Sequence, residues 1–361
     1  MKVHIFNPEH DDVLAYESLI PTPSHRVRML RMNMGYLPSL WADDGDVVIV
    51  DDVDYAIKAY ARCSLSLPHV LFLSHEDLKC IIADGATITE VLPWGWDRKV
   101  IRELEQSGIP SCLMPSATEC EQLRQLSART SQVSVLDGIS LPFTVGCVQK
   151  AVSCEEVCLL LQKQQGGVVK APWSSSGRGV RFLSSVPTDA EKAWVSRVIN
   201  NQGAVTVEPL YDKVMDFAME FSAEDTGVKY LGLSVFDTLH GAYQGGYIGT
   251  ENQKKEMLEK YLKIWGSDVL ELLSSTLING LSGYLNKSYN GPLGVDMMIV
   301  RHKGKYFVHP CVEINLRRTM GHVALAILTS DYIPVRHMNI VLESNFKLRI
   351  TTPDVPYVRV Y

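Results

Sequence analysis

Two segments far apart in this 361-residue chain carry side chains whose types and spacing suit chemistry done jointly. The first, VVKAPWSSSGRGV (Val168 to Val180), sets Lys170 on a strand pattern. It is followed by a loop of hydroxyls and glycines: Ser174, Ser175, Ser176, Gly177, Arg178 and Gly179. Small residues leave backbone N–H groups free to fold over phosphate oxygens. The loop has neither the GxxxxGK(S/T) nor the GxGxxG spacing. The second segment, GVDMMIV and then VHPCVEINLRR, carries Asp296, Glu313, Asn315, Arg317 and Arg318. Glu313 and Asn315 lie two apart on a strand and so share a face. Carboxylate and amide oxygens suit Mg²⁺, which takes few protein ligands alongside waters and phosphate oxygens. The adjoining arginines form a cationic patch fit for a phosphoryl group or a carboxylate. A phosphate-covering loop and a hard-cation set are the two halves of an ATP·Mg²⁺ pocket.

The two carboxylates of the second segment meet only under one condition. Leu293–Val300 and Tyr306–Ile314 read as a hairpin turned at Lys303-Gly304, and symmetrical pairing sets Asp296 opposite Pro310, not Glu313. The offset is ~10 Å at ~3.3 Å per residue, and its odd count puts the carboxylates on opposite faces. A bulge corrects both faults, and Pro310, which has no N–H to give to a ladder, is the place for it.

Positioning these segments takes three textures of chain. The first third alternates short apolar strands (Val3–Phe6, Val47–Val50, Val70–Leu73, Thr89–Leu92, Ser111–Met114) with helices such as Arg98–Gln106, which predicts a parallel doubly wound sheet. Ligands of such sheets sit beyond the carboxyl ends of the strands. Two polar loops fall there, Asn7 to Asp12 and Pro93 to Asp97, with turn chemistry and substrate contact both open. From about Leu123 an α-β-loop-β-α-β unit follows. Ser153 with Glu156, and Thr188 with Glu191, have the spacing of capping boxes opening its helices. The last portion reads as longer antiparallel strands, Asp216–Ala223 and Lys229–Asp237 among them, around a helical stretch from Asn252 to about Leu285 and a final helix Thr319–Thr329. Tyr243 to Tyr247 reads as a glycine-rich turn with structural tyrosines, a place on the substrate side being the alternative. His240, His309 and His322 read as surface or satisfied histidines, with His322 of added interest for its nearness to the arginines.

Composition sets outer bounds. The hydrophobic fraction of 46% and charged fraction of 21% are those of a globular protein long enough for two or three packed units. A formal charge of −6 argues against a nucleic-acid partner. His25, Arg26, Arg28 and Arg31 form a local basic run read as a solvated helix face. The eight cysteines lack CxxC spacing, and Cys154 and Cys158 read as core residues on one helix face. No leader or membrane-spanning apolar run is visible, so a reduced cytoplasmic protein is expected.

VVKAPWSSSGRGV, then VEPLYDKVMDFAMEF, then GVDMMIV and VEINLRR resemble, in this order, the motifs of ATP-grasp enzymes such as D-alanine–D-alanine ligase, biotin carboxylase and carbamoyl-phosphate synthetase. The resemblance runs from about Leu123 to Thr329, and EIN(x)R is its most specific part. It implies an α/β and α+β chain: a Rossmann-like parallel-sheet domain at residues 1–122, then a two-lobed ATP-grasp domain, its small lobe at 123–187 and its large lobe with the metal site at 188–361. It further implies that Lys170 contacts the α- and β-phosphates, that Ser174 to Gly179 close over them, and that Glu208 and the backbone through Leu210 receive the adenine. Asp216 would contact the ribose, and Arg129 would be the upstream basic residue. Asp296, Glu313 and Asn315 would hold Mg²⁺ or Mn²⁺, and Arg317 or Arg318 would stabilise the phosphoryl group. The implied activity is ligation of a small-molecule carboxylate, activated as an acyl-phosphate, to an amine. A small-molecule kinase, and an ATP-binding regulatory protein without turnover, are the alternatives. The substrates and the oligomeric state are not legible.

Overall fold

The structure is a computed structural model that describes residues 1–17, 20–63, 68–174, 178–239 and 241–352. The candidate loop residues Ser175, Ser176 and Gly177, and His240, lie outside the described residues. Strands in chain order are β1 (Lys2–Ile5), β2 (Val47–Ile49), β3 (Leu71–Leu73), β4 (Glu90–Pro93), β5 (Gln149–Ala151), β6 (Gly167–Lys170), β7 (Val180–Leu183) and β8 (Val205–Glu208). They continue as β9 (Asp212–Glu224), β10 (Gly227–Leu239), β11 (Ala242–Ile248), β12 (Gly291–His302), β13 (Lys305–Asn315), β14 (Arg336–Leu342) and β15 (Phe346–Thr351).

These strands build three sheets, in a mixed α/β and α+β arrangement. The first is parallel, in the order β3-β2-β1-β4. Of its two central strands β2 is an unbroken apolar run, as burial on both faces requires, and β1 carries a buried His4 that pairs with Asp46 at 3.0 Å. One face packs Val3, Ile5 and Val47 against Leu78, Val100 and Leu104 of the flanking helices. The other packs Phe6, Val48 and Val50 against Met34 and Leu37, and also against Ile248, Val323 and Met338 from the far end of the chain. That shared core fixes the first sheet against the third. The second sheet is antiparallel, in the order β5-β8-β6-β7. The third has seven antiparallel strands, β13-β12-β9-β10-β11-β14-β15. The helix Val269–Leu285 turns Leu270, Leu273, Leu277, Leu281 and Leu285 toward it, into one core with Phe217, Phe221, Leu233 and Leu293.

Several expectations change. Ser111–Leu113 is a turn of 3₁₀ helix, not a strand, behind Pro110 and with no partner strand among the described residues. The stretch from Asn252 to Leu285 is two helices, Glu251–Leu262 and Val269–Leu285, divided where Gly266 takes φ 114°. The Tyr243–Tyr247 segment is not a turn but part of β11, and its Tyr247 hydroxyl donates to Asp237 at 2.6 Å. Thr188 and Glu191 form the expected reciprocal cap. Ser153 accepts from Glu156 N, but the Glu156 carboxylate accepts from Val152 N rather than from Ser153. Among the described residues, no helix is long and apolar enough to cross a membrane.

Candidate functional site

The site is centred on the β12–β13 hairpin. From His302↔Lys305 back to Met298↔His309 the pairing is regular; then Pro310, Cys311 and Val312 all stand against Met297, and the ladder resumes at Asp296↔Glu313 and Gly294↔Asn315. The bulge thus begins at the proline. It sets the two carboxylates directly across from each other on one face, with Asn315 Nδ2 donating to Asp296 Oδ2 at 3.1 Å. Burial, and then the Glu313 charge, push the Asp296 carboxyl up to about 7. Among the described residues no three His, Cys, Asp or Glu side chains converge as a metal set. The donors present are two carboxylates and an amide oxygen, the asparagine's N–H₂ being turned to Asp296. Two facing carboxylates beside an amide oxygen are a fit for a divalent cation with open positions.

The second sheet faces this hairpin. The bulge frees the Val312 carbonyl from the ladder, and Lys170 Nζ donates to it at 3.3 Å while pairing with Glu208 Oε1 at 2.7 Å. Lys170 and Glu208 share a face of paired strands β6 and β8, and both are buried. The Glu208 carbonyl accepts from Gln164 Nε2 at 3.0 Å, whereas Leu210 is 64% exposed. Asp216 Oδ2 accepts from Lys213 Nζ at 2.6 Å and from Thr238 Oγ1 at 2.7 Å. Gly179 closes the base of the loop: a Cβ there would overlap the Ser174 side chain.

Buried Arg129 joins these parts. Its guanidinium donates to the Ala171 carbonyl at 2.8 Å, to Ser174 Oγ at 2.8 Å and to Glu313 Oε1 at 2.6 Å. Gln132, not singled out from the sequence, works beside it. Its side-chain amide donates to Ile314 O at 2.7 Å and accepts from Ile314 N at 2.9 Å, satisfying the backbone of an edge strand between Glu313 and Asn315.

The two polar loops of the first sheet interlock. Asn7 Nδ2 donates to Gly95 O and to Asp97 Oδ2, each at 2.8 Å, and Asp97 caps the helix Arg98–Gln106. A Cβ on Gly95 would stand 2.7 Å from the His10 ring, which is buried against it. Gly95→Ala is therefore expected to cost about 2 kcal/mol or more, by overpacking, in urea unfolding. An unchanged midpoint would show that the two loops do not interlock in solution. The acids of the first loop reach the arginines. Asp11 grips Arg317 through two bonds of 2.9 and 2.8 Å, and Asp12 pairs with Arg178 Nη2 at 2.7 Å. Arg318 goes elsewhere: its N–H donates to Trp94 O at 2.8 Å and its guanidinium lies 4.6 Å over the Trp41 ring. Among the described residues no carboxylate pairs with it, and burial lowers it to about 10.

Beneath the hairpin lies a buried polar network that the sequence did not reveal. Glu220 Oε2 accepts from Thr319 Oγ1 at 2.9 Å and stands 3.1 Å from His322 Nδ1. His322 Nδ1 accepts from Thr319 N at 3.1 Å, and Nε2 meets the Phe221 carbonyl at 3.4 Å, so the ring hydrogen is on Nε2. A carboxylate facing that lone pair must bring the hydrogen itself. Burial, and then Asp296, push Glu220 up to about 8, and burial takes His322 down to about 3. The network's signals in the sequence were a glutamate set between the apolar Met219 and Phe221, and His322 close after the arginines.

No family model matches the chain, and no curated protein matches it in sequence. Solved structures do. A biotin carboxylase from Campylobacter jejuni, in complex with an ATP analogue, superposes with a TM-score of 0.50 at 13% identity, over 94% of this chain and 75% of its own. N5-carboxyaminoimidazole synthetase from Staphylococcus aureus, complexed with ADP, gives 0.49 at 10% identity, over 94% and 82%. A protein from Archaeoglobus fulgidus, described as of the ATP-grasp superfamily, gives 0.49 at 12% identity, over 98% and 100%. At such identities the likeness is one of fold.

Proposed function

We propose that this chain, whose fold is that of the ATP-grasp proteins, is an ATP-dependent ligase that activates a small-molecule carboxylate as an acyl-phosphate for attack by an amine. The observation that carries this reading is the bulged register, which faces Asp296 with Glu313 while Lys170 from the second sheet and Arg129 from the turn after the helix Ala117–Ser127 reach the same strand. In this reading Lys170 holds the α- and β-phosphates, Ser174 and Gly179 bound the closing loop, Glu208 and Leu210 flank the base, and Asp216 meets the ribose. Asp296, Glu313 and Asn315 would hold Mg²⁺ or Mn²⁺, which neutralises phosphate charge when bound. Arg318, without a carboxylate partner among the described residues, keeps its charge for a phosphoryl group; Arg317 shares its charge with Asp11. No side-chain nucleophile is called for, and positioning and electrostatics supply most of the rate.

We also propose the division into residues 1–122, 123–187 and 188–361. The second sheet crosses the latter boundary, since β8 follows residue 187. One contact favours a second reading, a nucleotide-binding protein without turnover: Arg129 already occupies Glu313.

Thermal unfolding with ATP or a non-hydrolysable analogue, with and without Mg²⁺, tests the assignment. A ligand of the native state at a hundred times its Kd adds about 2.7 kcal/mol. A metal-dependent rise in midpoint followed by ADP release supports the ligase; a rise without turnover under any carboxylate and amine supports the second reading. No rise at millimolar nucleotide removes both.

A further inference from the structure

A cavity of about 500 Å³ lies at the carboxyl ends of the parallel strands, away from the β12–β13 hairpin. Its floor is a charge cluster around buried Glu9 and Arg31, with Asp51 at its exposed edge. Glu9, 1% exposed, follows β1; Asp51 follows β2; His75 follows β3; Lys99 and Glu103 lie on the helix after β4. Arg31, from the run expected to be a solvated face, is 8% exposed and sits at the centre. It meets Glu9 at 2.6 Å, Glu103 at 2.9 Å and Asp51 at 3.3 Å, while Lys99 meets Glu9 at 2.7 Å and also Glu103. Two cations thus stand against three carboxylates.

The floor is short of donors. Glu9 gives Oε1 to both cations, and its Oε2 has no hydrogen-bond partner. Ser107 Oγ donates to Glu103 O at 2.9 Å, so at 2.8 Å from that hydroxyl His75 Nδ1 carries the hydrogen. His75 Nε2 is then a lone pair, also without a partner, 3.9 Å from Glu103 Oε2. Excess negative charge and two unused acceptors call for N–H donors from a ligand. The rim has the opposite balance. Arg28 and Lys79 are exposed there with no carboxylate partner among the described residues, beside a single acid, Glu76.

We infer that this cavity binds a small zwitterion of the α-amino-acid class, its ammonium on the Glu9–Glu103–His75 floor and its carboxylate toward Arg28 and Lys79. Glu9 and Pro23 also line the adjoining cavity of about 390 Å³, whose opposite wall includes Ser174, Arg178 and Gly179. The bound amine is thereby one wall away from the phosphate-covering loop. Its assignment as the amine donor rests on the ligase reading; its binding does not.

Calorimetric titration of the full chain with a panel of free α-amino acids, each beside its N-acetyl and carboxamide derivative, tests the inference without nucleotide. Saturable binding of a free amino acid is expected, with at least about tenfold loss on N-acetylation. The exposed pair Arg28→Ala and Lys79→Ala should weaken the free amino acid by a similar factor and leave its carboxamide unchanged. Glu103→Gln should weaken both. Absence of binding by every amino acid, equal binding of the N-acetyl form, or indifference to the rim pair overturns the inference. Binding without amino-acid-dependent ADP release upholds the cavity and counts against the ligase. ADP release with no amino-acid binding overturns the cavity and leaves the ligase standing.

Discussion

Glu313→Gln is expected to lower ADP formation by about a thousandfold or more while the fold survives. The side chain is 28% exposed and its replacement keeps the shape, so little stability rests on its charge. The amide oxygen of the replacement can still accept from Arg129, which holds the loop base through Ala171 and Ser174 in any case. What disappears is one of the two facing carboxylates. A second reading of the same variant is independent of turnover: Asp296, pushed up by burial and by Glu313, should titrate lower once that neighbour is neutral. Steady-state ADP release and the Mg²⁺ dependence of nucleotide binding measure the first effect. Turnover at the wild-type rate would remove the hairpin from the proposed metal site.

Relative to a Glu220→Gln variant, the ligand-free protein should lose stability as pH rises from about 4.5 to about 8. Glu220 has an ordinary value of 4.5 and is pushed to about 8, first by burial and then by Asp296. The folded state therefore keeps a proton that the unfolded chain gives up. Its contribution is fully present below 4.5 and is lost as pH climbs through the folded value. The shift corresponds to roughly 3–5 kcal/mol at the alkaline end. A glutamine amide can donate to His322 Nδ1 without ever ionising, so the variant should match wild type near pH 5 and exceed it near pH 8. Urea unfolding at intervals across that range decides it. Parallel curves for the two proteins would mean that Glu220 is ionised in the folded state.

Much of the architecture was legible because its causes are local. Alternating strands and helices implied the parallel sheet, and Thr188 with Glu191 marked a helix start through a three-residue interaction. The need for a bulge at Pro310 followed from counting residues and from the missing N–H of proline. Other features misled because their partners are remote. Arg31 belongs to a basic run that reads as solvated, yet Glu9, Asp51 and Glu103, brought by three separate connections, bury it. Tyr243 to Tyr247 reads as a turn because of its glycines, but β10 and β14 pair it on both sides.

The chain alone determined its fold class and which residue types are present for phosphate, cation and phosphoryl chemistry. Only the tertiary structure distinguished Arg317 from its neighbour, by delivering Asp11 to one and Trp41 to the other. It also set Arg129 on Glu313 and enclosed Glu220 with His322. Propensity, capping and side-chain alternation act over a few residues and are written in sequence. The charge state and pairing of a buried group depend on what surrounds it from every direction, and those neighbours are chosen by how the three sheets pack.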